Sequence, residues 1–145
     1  MTDEQVISLI NTLRAEPAES EWFEFKRGRQ SPQQIGEYIS ALANSAALKG
    51  RRAGYLVFGV DNETHEVVGT TYDPYQEKGN GNEELLHWLN RGMNPRVMTD
   101  VLVVQHPCGR VVVFEVSAAT SSTGCLLWHG VRENRDFEDE AQGQP

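Results

Sequence analysis

Two stretches decide how this chain folds: Glu19-Ser20-Glu21-Trp22-Phe23-Glu24-Phe25-Lys26, and Tyr55-Leu56-Val57-Phe58-Gly59-Val60-Asp61. In the first, Phe23 and Phe25 alternate with Trp22, Glu24 and Lys26, the period of a strand with one face in the core. The second is an almost unbroken apolar run, as expected of a strand covered on both faces. Each carries acidic groups at an end. If the two strands are neighbours in one sheet, Glu19, Glu24 and Asp61 converge on one edge, with Lys26, Arg27 and Arg29 close by. Carboxylates beside clustered cations suit a divalent metal and a phosphodiester, and equally suit strand ends that simply meet water.

Working outward, residues 3 to 14 read as an amphipathic helix with Asp3 as its cap and Val6, Ile7, Ile10 and Leu13 on the buried face. Ser31-Pro32 opens a second helix, Ser31 as N-cap and proline at the first helical position. Ile35, Ile39, Leu42 and Ala43 form its stripe. Ala41, Ala46 and Ala47 keep it slim, and Gly50 stops it. Asp61-Asn62-Glu63-Thr64 is turn chemistry, after which residues 65 to 69 return as a short strand. A third helix is expected from about residue 82 to 91. Residues 96–105 and 110–116 form a hairpin across Pro107-Cys108-Gly109. Helices and strands mix without strict alternation. The expected class is therefore mixed α/β (α+β), a single central mixed sheet flanked by two or three helices.

At 145 residues, 39% hydrophobic and 23% charged, the chain has the makings of one globular domain. We expect that domain over residues 1–132 and an acidic, disordered tail over 133–145. No apolar run reaches the twenty or so residues of a membrane helix, and the acidic N-terminus is unlike a signal peptide. A cytoplasmic location and reduced cysteines are expected. The net charge of −8 argues against generic nucleic-acid binding. Its distribution argues otherwise. Between residues 26 and 52, Lys26, Arg27, Arg29, Lys49, Arg51 and Arg52 stand against Glu37 alone, while the last thirteen residues are strongly acidic.

Phosphate-cradling glycine loops of the P-loop and dinucleotide types are absent, as is the Gly-x-Ser-x-Gly elbow. Cys125 and His129 could complete a four-ligand zinc site with His106 and Cys108, but the spacing is looser than in such knuckles and the reading is disfavoured. Glu19, Glu24 and Asp61 could hold Mg or Mn, with Lys26 neutralising a phosphate oxygen. An ion pair between Glu24 and Lys26 on a sheet surface is the plainer alternative. Asn44, near the end of the second helix, either contacts a ligand or satisfies backbone groups. Trp22 could stack on a base or simply pack.

Glu24-Phe25-Lys26, then Ala41-Leu42-Ala43-Asn44, then Gly59-Val60-Asp61, then Val68-Gly69, in this order and spacing, resemble the Schlafen AlbA-like domain family. Its outline is Glu-Phe-Lys, Ala-Phe-Ala-Asn, Gly-Val-Asp, Val-Gly. The resemblance covers residues 5 to 117. It implies a mixed α/β fold linked to nucleic acid, DNA or RNA, often within larger proteins described as transcriptional regulators, so that the chain could be part of a longer one. In animal Schlafen proteins, related domains form a metal-dependent endoribonuclease with three carboxylates, whose matching positions here are Glu19, Glu24 and Asp61. Residues 46 to 53 depart from the family's glycine-rich entry into the second strand. Three functions follow as expectations. One is a nucleic-acid-binding module using Lys26, Arg27, Arg29, Asn44, Arg51 and Arg52. The others are a metal-dependent nuclease using Glu19, Glu24, Asp61 and Lys26, and a scaffold that forms homo-oligomers.

Overall fold

The computed structural model describes residues 1–16, 21–79, 83–94, 98–119 and 127–128. Helix α1 (Asp3–Arg14) is followed by strand β1 (Phe23–Lys26), helix α2 (Pro32–Leu48) and strand β2 (Ala53–Phe58). A single 3-10 turn (Pro74–Gln76) precedes α3 (Leu85–Arg91) and β3 (Met93–Asn94). The long hairpin β4 (Thr99–His106) and β5 (Gly109–Ser117) comes next, then β6 (Leu127–Trp128). The main sheet has the order β1-β2-β5-β4, with β1 parallel to β2 and the other pairs antiparallel. A separate two-stranded ladder joins β3 to β6. The described residues form one four-stranded mixed sheet with three helices, the mixed α/β class that the sequence predicts as a central mixed sheet flanked by two or three helices.

The sheet separates two cores, because strand side chains alternate between its faces. Phe23, Phe25, Val57, Val111 and Val113 meet Val6, Ile10 and Leu13 of α1 on one face. Leu56, Phe58, Val112, Phe114 and Val116 meet Ile35, Ile39 and Leu42 of α2 and Leu85, Trp88 and Leu89 of α3 on the other. The nearly continuous apolar run of β2 is thus explained by its central position between β1 and β5. Gly54 allows α2 to lie this close: a Cβ there would stand 2.9 Å from the Leu42 carbonyl oxygen.

Some local expectations change. Thr2, not Asp3, caps α1, forming a reciprocal pair with Gln5, and Ser31 caps α2 in the same way with Gln34. The slim inner face of α2 comes from Gly36, Ala43 and Ala46, while Ala41 and Ala47 rotate outward to solvent. The short strand expected over residues 65–69 is reduced to one bridge between Val60 and Val67. Asp61 folds the turn onto itself, and His65 adopts a left-handed φ of 63°, which breaks the extended run. Gly50, at φ 71°, closes α2 as expected. The tail over 133–145 lies outside the described residues.

Candidate nucleic-acid interface

β1 is an edge strand, and its two ends gather the basic residues. The register Phe23 to Tyr55 and Lys26 to Phe58 places Trp22 and Arg51 together before the strands begin. Lys26 and Arg27 lie where the strands finish. Five residues at about 3.3 Å each separate Trp22 from Arg27, about 16 Å along the edge.

At the first end the Arg51 guanidinium lies 3.7 Å from the centre of the Trp22 ring, a cation–π stack. Tyr55 meets Trp22 edge-on at 6.1 Å between ring centres. Arg51 and Arg52 are exposed and, among the described residues, make no ion pair. Together with Trp22 and Tyr55 they border a cavity of about 470 Å³, whose other wall includes Asp100 and Glu115. Lys49, one residue beyond α2, reaches Glu21 at 3.7 Å.

At the other end each cation faces a carboxylate. Lys26 Nζ is 3.5 Å from Glu24 Oε2 and 4.6 Å from the centre of the Tyr38 ring. Burial pulls the Lys26 pKa down, but Tyr38 and Glu24 outweigh it and hold the ammonium above its usual range. Arg27 donates to Asp61 Oδ2 at 2.7 Å, and Arg29 to Glu77 Oε1 at 2.9 Å. The two arginines are 66% and 62% exposed, while their carboxylate partners Asp61 and Glu77 are only 14% and 22% exposed. Asn44 sits half-buried on α2.

The three candidate carboxylates fare differently. Glu24 lies on the α2 face of β1 beside Lys26, as period two requires. Asp61 is occupied: Oδ1 accepts the amides of Glu63 at 2.8 Å and Thr64 at 2.9 Å, while Oδ2 holds Arg27. Those amides, with Arg27, keep the carboxyl below its usual range. Glu19 lies outside the described residues. Among those described, no three acidic, histidine or cysteine side chains assemble around one point. A carboxylate that already caps its own turn and pairs with arginine must give up those partners to bind a magnesium or manganese ion.

His106 is 4% exposed, and both ring nitrogens are in use. Nδ1 accepts the Cys108 amide at 3.0 Å, which leaves Nε2 to donate to Asn11 Oδ1 at 3.0 Å. The ring is therefore the neutral Nε2–H tautomer with no lone pair to offer zinc. Cys108 is an exposed free thiol; Cys125 and His129 lie outside the described residues.

Burial, with Arg14 nearby, lowers the His106 pKa below 6.5. The unfolded chain then takes up this proton first as pH falls, so His106 stabilises the fold fully above about pH 6.5. That contribution is lost as pH falls from there through the folded-state pKa. Thermal melts should decline below pH 6.5, and a His106→Gln variant should decline less. An NMR titration showing His106 protonated at or above pH 6.5 would contradict this.

Sequence reasoning missed Tyr38 and Tyr55 at this edge. Neither carries a motif, and each is brought to its partner from at least a dozen residues away. Period two did place Glu24 with Lys26.

Residues 19–138 match the model of a family described as Schlafen, AlbA_2. No curated protein matches the chain. Among solved structures, it resembles the solution NMR structure of the N-terminal domain of an ATP-dependent DNA helicase RecG-related protein from Nitrosomonas europaea. The TM-score is 0.53 at 22% identity, covering 86% of this chain and 82% of that one. A crystal structure of a Corynebacterium diphtheriae protein matches at a TM-score of 0.43 and 19% identity, over 80% of this chain and 25% of that one. No described helix is long and apolar enough to cross a membrane.

Proposed function

The chain belongs to the Schlafen AlbA_2 family, and on that premise we propose that it is a nucleic-acid-binding module whose interface is the β1 edge of its sheet. The observation that carries this reading is the guanidinium of Arg51 stacked at 3.7 Å on Trp22, with Arg52 beside it. Stacking pre-orders the cation and leaves its N–H donors for phosphate, while the aromatic pair offers a surface for a base. Lys26, Arg27 and Arg29 take further phosphates at the other end of the same strand, the two exposed guanidiniums through N–H donors that their carboxylate partners leave unused. Asn44 is the neutral contact of this set. The acidic remainder of the chain limits binding to this edge and makes it strongly salt-dependent. We place the module in the cytoplasm, where Cys108 stays reduced, as one part of a regulatory protein.

Binding of short single-stranded RNA and DNA, followed by fluorescence anisotropy at low salt, tests the reading. Trp22→Ala should weaken binding by about 1–3 kcal/mol, the worth of one stacked base. Arg51→Ala and Arg52→Ala should each reduce the slope of log affinity against log salt by about 0.7. No detectable binding by the wild-type protein, in a species that sediments as an oligomer, would instead support the scaffold reading.

Metal-dependent RNA cleavage is the second reading, favoured by Glu24 standing 3.5 Å from Lys26 on one face. It predicts chelator-sensitive cleavage of folded RNA in manganese, abolished in Glu24→Ala. It needs Asp61 to release its turn and Arg27, which is why binding is preferred.

A further inference from the structure

The cavity beside the Arg51–Trp22 stack has a far wall that phosphate contact leaves unexplained. Tyr55, Glu115 and Asp100 stand in one row across β2, β5 and β4, paired in register, and all three line the cavity of about 470 Å³. Asp100 and Glu115 are thus like charges directly opposite one another, an arrangement that costs stability in a sheet. Among the described residues neither makes an ion pair. Glu115 is half-buried, and its Oε2 accepts the Tyr55 hydroxyl at 3.4 Å. Burial, with the Glu115 charge beside it, pushes the Tyr55 phenol above its ordinary range, so it stays protonated and steadies that carboxylate. Glu115 Oε1 has no partner among the described residues.

The two sides of the cavity define what fits between them. One face of the Arg51 guanidinium lies on Trp22; a base can lie on the other, as bases do on guanidinium planes. β1 and β5 are separated by β2 alone, about 10 Å between backbones, so a base against Arg51 brings its edge within reach of Glu115. That wall only accepts, because an ionised carboxylate has no proton to give. It is best satisfied by two parallel N–H donors. Among the bases, only guanine sets two donors side by side on its Watson–Crick edge, N1–H and the 2-amino group. Adenine and cytosine place an acceptor beside their amino group, and uracil flanks its single N–H with acceptors; a carboxylate repels each of these. Ser117, two places along β5 from Glu115 and on the same face, also lines the cavity and has a hydroxyl to donate to O6.

We infer that this cavity is a guanine subsite, in which a base stacked on Arg51 gives its N1–H and 2-amino protons to the Glu115 carboxylate. Asp100 beside it deepens the negative charge of the wall and turns acceptor edges away. Phosphates stay at the exposed mouth, on the N–H donors of Arg51 and Arg52. The inference rests on the nucleic-acid reading and adds a base preference to it, alike in RNA and DNA, since both carry guanine.

Fluorescence anisotropy with short uridine strands carrying one central guanine, adenine or cytosine tests this. Wild type should bind the guanine strand about tenfold or more tightly than the other two, the worth of hydrogen bonds to a charged group. Glu115→Gln keeps the side-chain shape but turns one acceptor oxygen into a donor. It should lose that factor and keep its affinity for the adenine strand. Tyr55→Phe keeps the ring but no longer steadies the carboxylate. It should lose part of the preference, and it decides the matter if Glu115→Gln does not fold. Equal wild-type affinities for the three strands, or a guanine preference unchanged in both variants, would overturn the subsite and leave the binding module standing. Binding of no strand would overturn both.

Discussion

Replacing Gly59 with alanine should destabilise the protein by about 3–5 kcal/mol, strain at a left-handed position adding to a steric clash. Gly59 has a φ of 106°, which L-residues rarely adopt, and a Cβ there would stand 2.9 Å from the Arg110 carbonyl oxygen. No flexible side chain can yield at that contact, because the obstacle is the backbone of β5. The glycine also joins three segments. Its amide donates to the Lys26 carbonyl at 2.7 Å, and its own carbonyl accepts the amides of Val68 at 2.8 Å and Gly69 at 2.9 Å. On the proposed function, the variant should lose nucleic-acid affinity along with stability, through displacement of Lys26 and Arg27. Urea denaturation followed by far-UV circular dichroism would read the first effect. A midpoint indistinguishable from wild type would show that the 59–69 turn relaxes at no cost.

Phe114→Ala should cost about as much, 3–5 kcal/mol, by a different route. Phe114 is fully buried in the middle of β5, on the face covered by α2 and α3, with its ring centre 5.6 Å from that of Phe58. Removing it leaves a cavity between β2 and β4 with helices above, where little can collapse. At about 2–4 °C per kcal/mol for a chain of this size, the melting temperature should fall by roughly 6–20 °C. Trimming Val103, which is 40% exposed on the edge strand β4, should change stability by less than about 0.5 kcal/mol. Equal losses at both positions would mean that the two-core description of the sheet is wrong.

The same contrast explains what could be read in advance. The stripe Val6, Ile10 and Leu13, the Ser31-Pro32 start of α2 and the alternation of Phe23 with Phe25 are local signals. They follow from helical and strand geometry, so they hold wherever the segment is placed. The hairpin β4–β5 was legible for the same reason, its turn residues lying between two β-rich runs. The return strand after Asp61 was not. Its failure depends on Asp61 choosing its own backbone and on His65 turning left-handed to reach Arg14, a contact 51 residues distant.

At the interface, chain order alone brought Lys26, Arg27 and Arg29 together and put Glu24 on the face of Lys26. Residue type marked Trp22 as a stacking surface and the cations as phosphate contacts. Pairing decided the rest. Parallel registry of β1 with β2 sends Arg51 to Trp22 at one end of the edge and Asp61 to Arg27 at the other, so the basic patch of the sequence becomes two clusters. Tyr38 over Lys26 comes from α2, with no spacing rule linking it to β1. Periodicity fixes which way a side chain faces along its own segment. Which neighbour it meets there is set by the packing of segments far apart in the chain, and at this edge that packing spends the oxygens of Asp61 on a turn and an arginine.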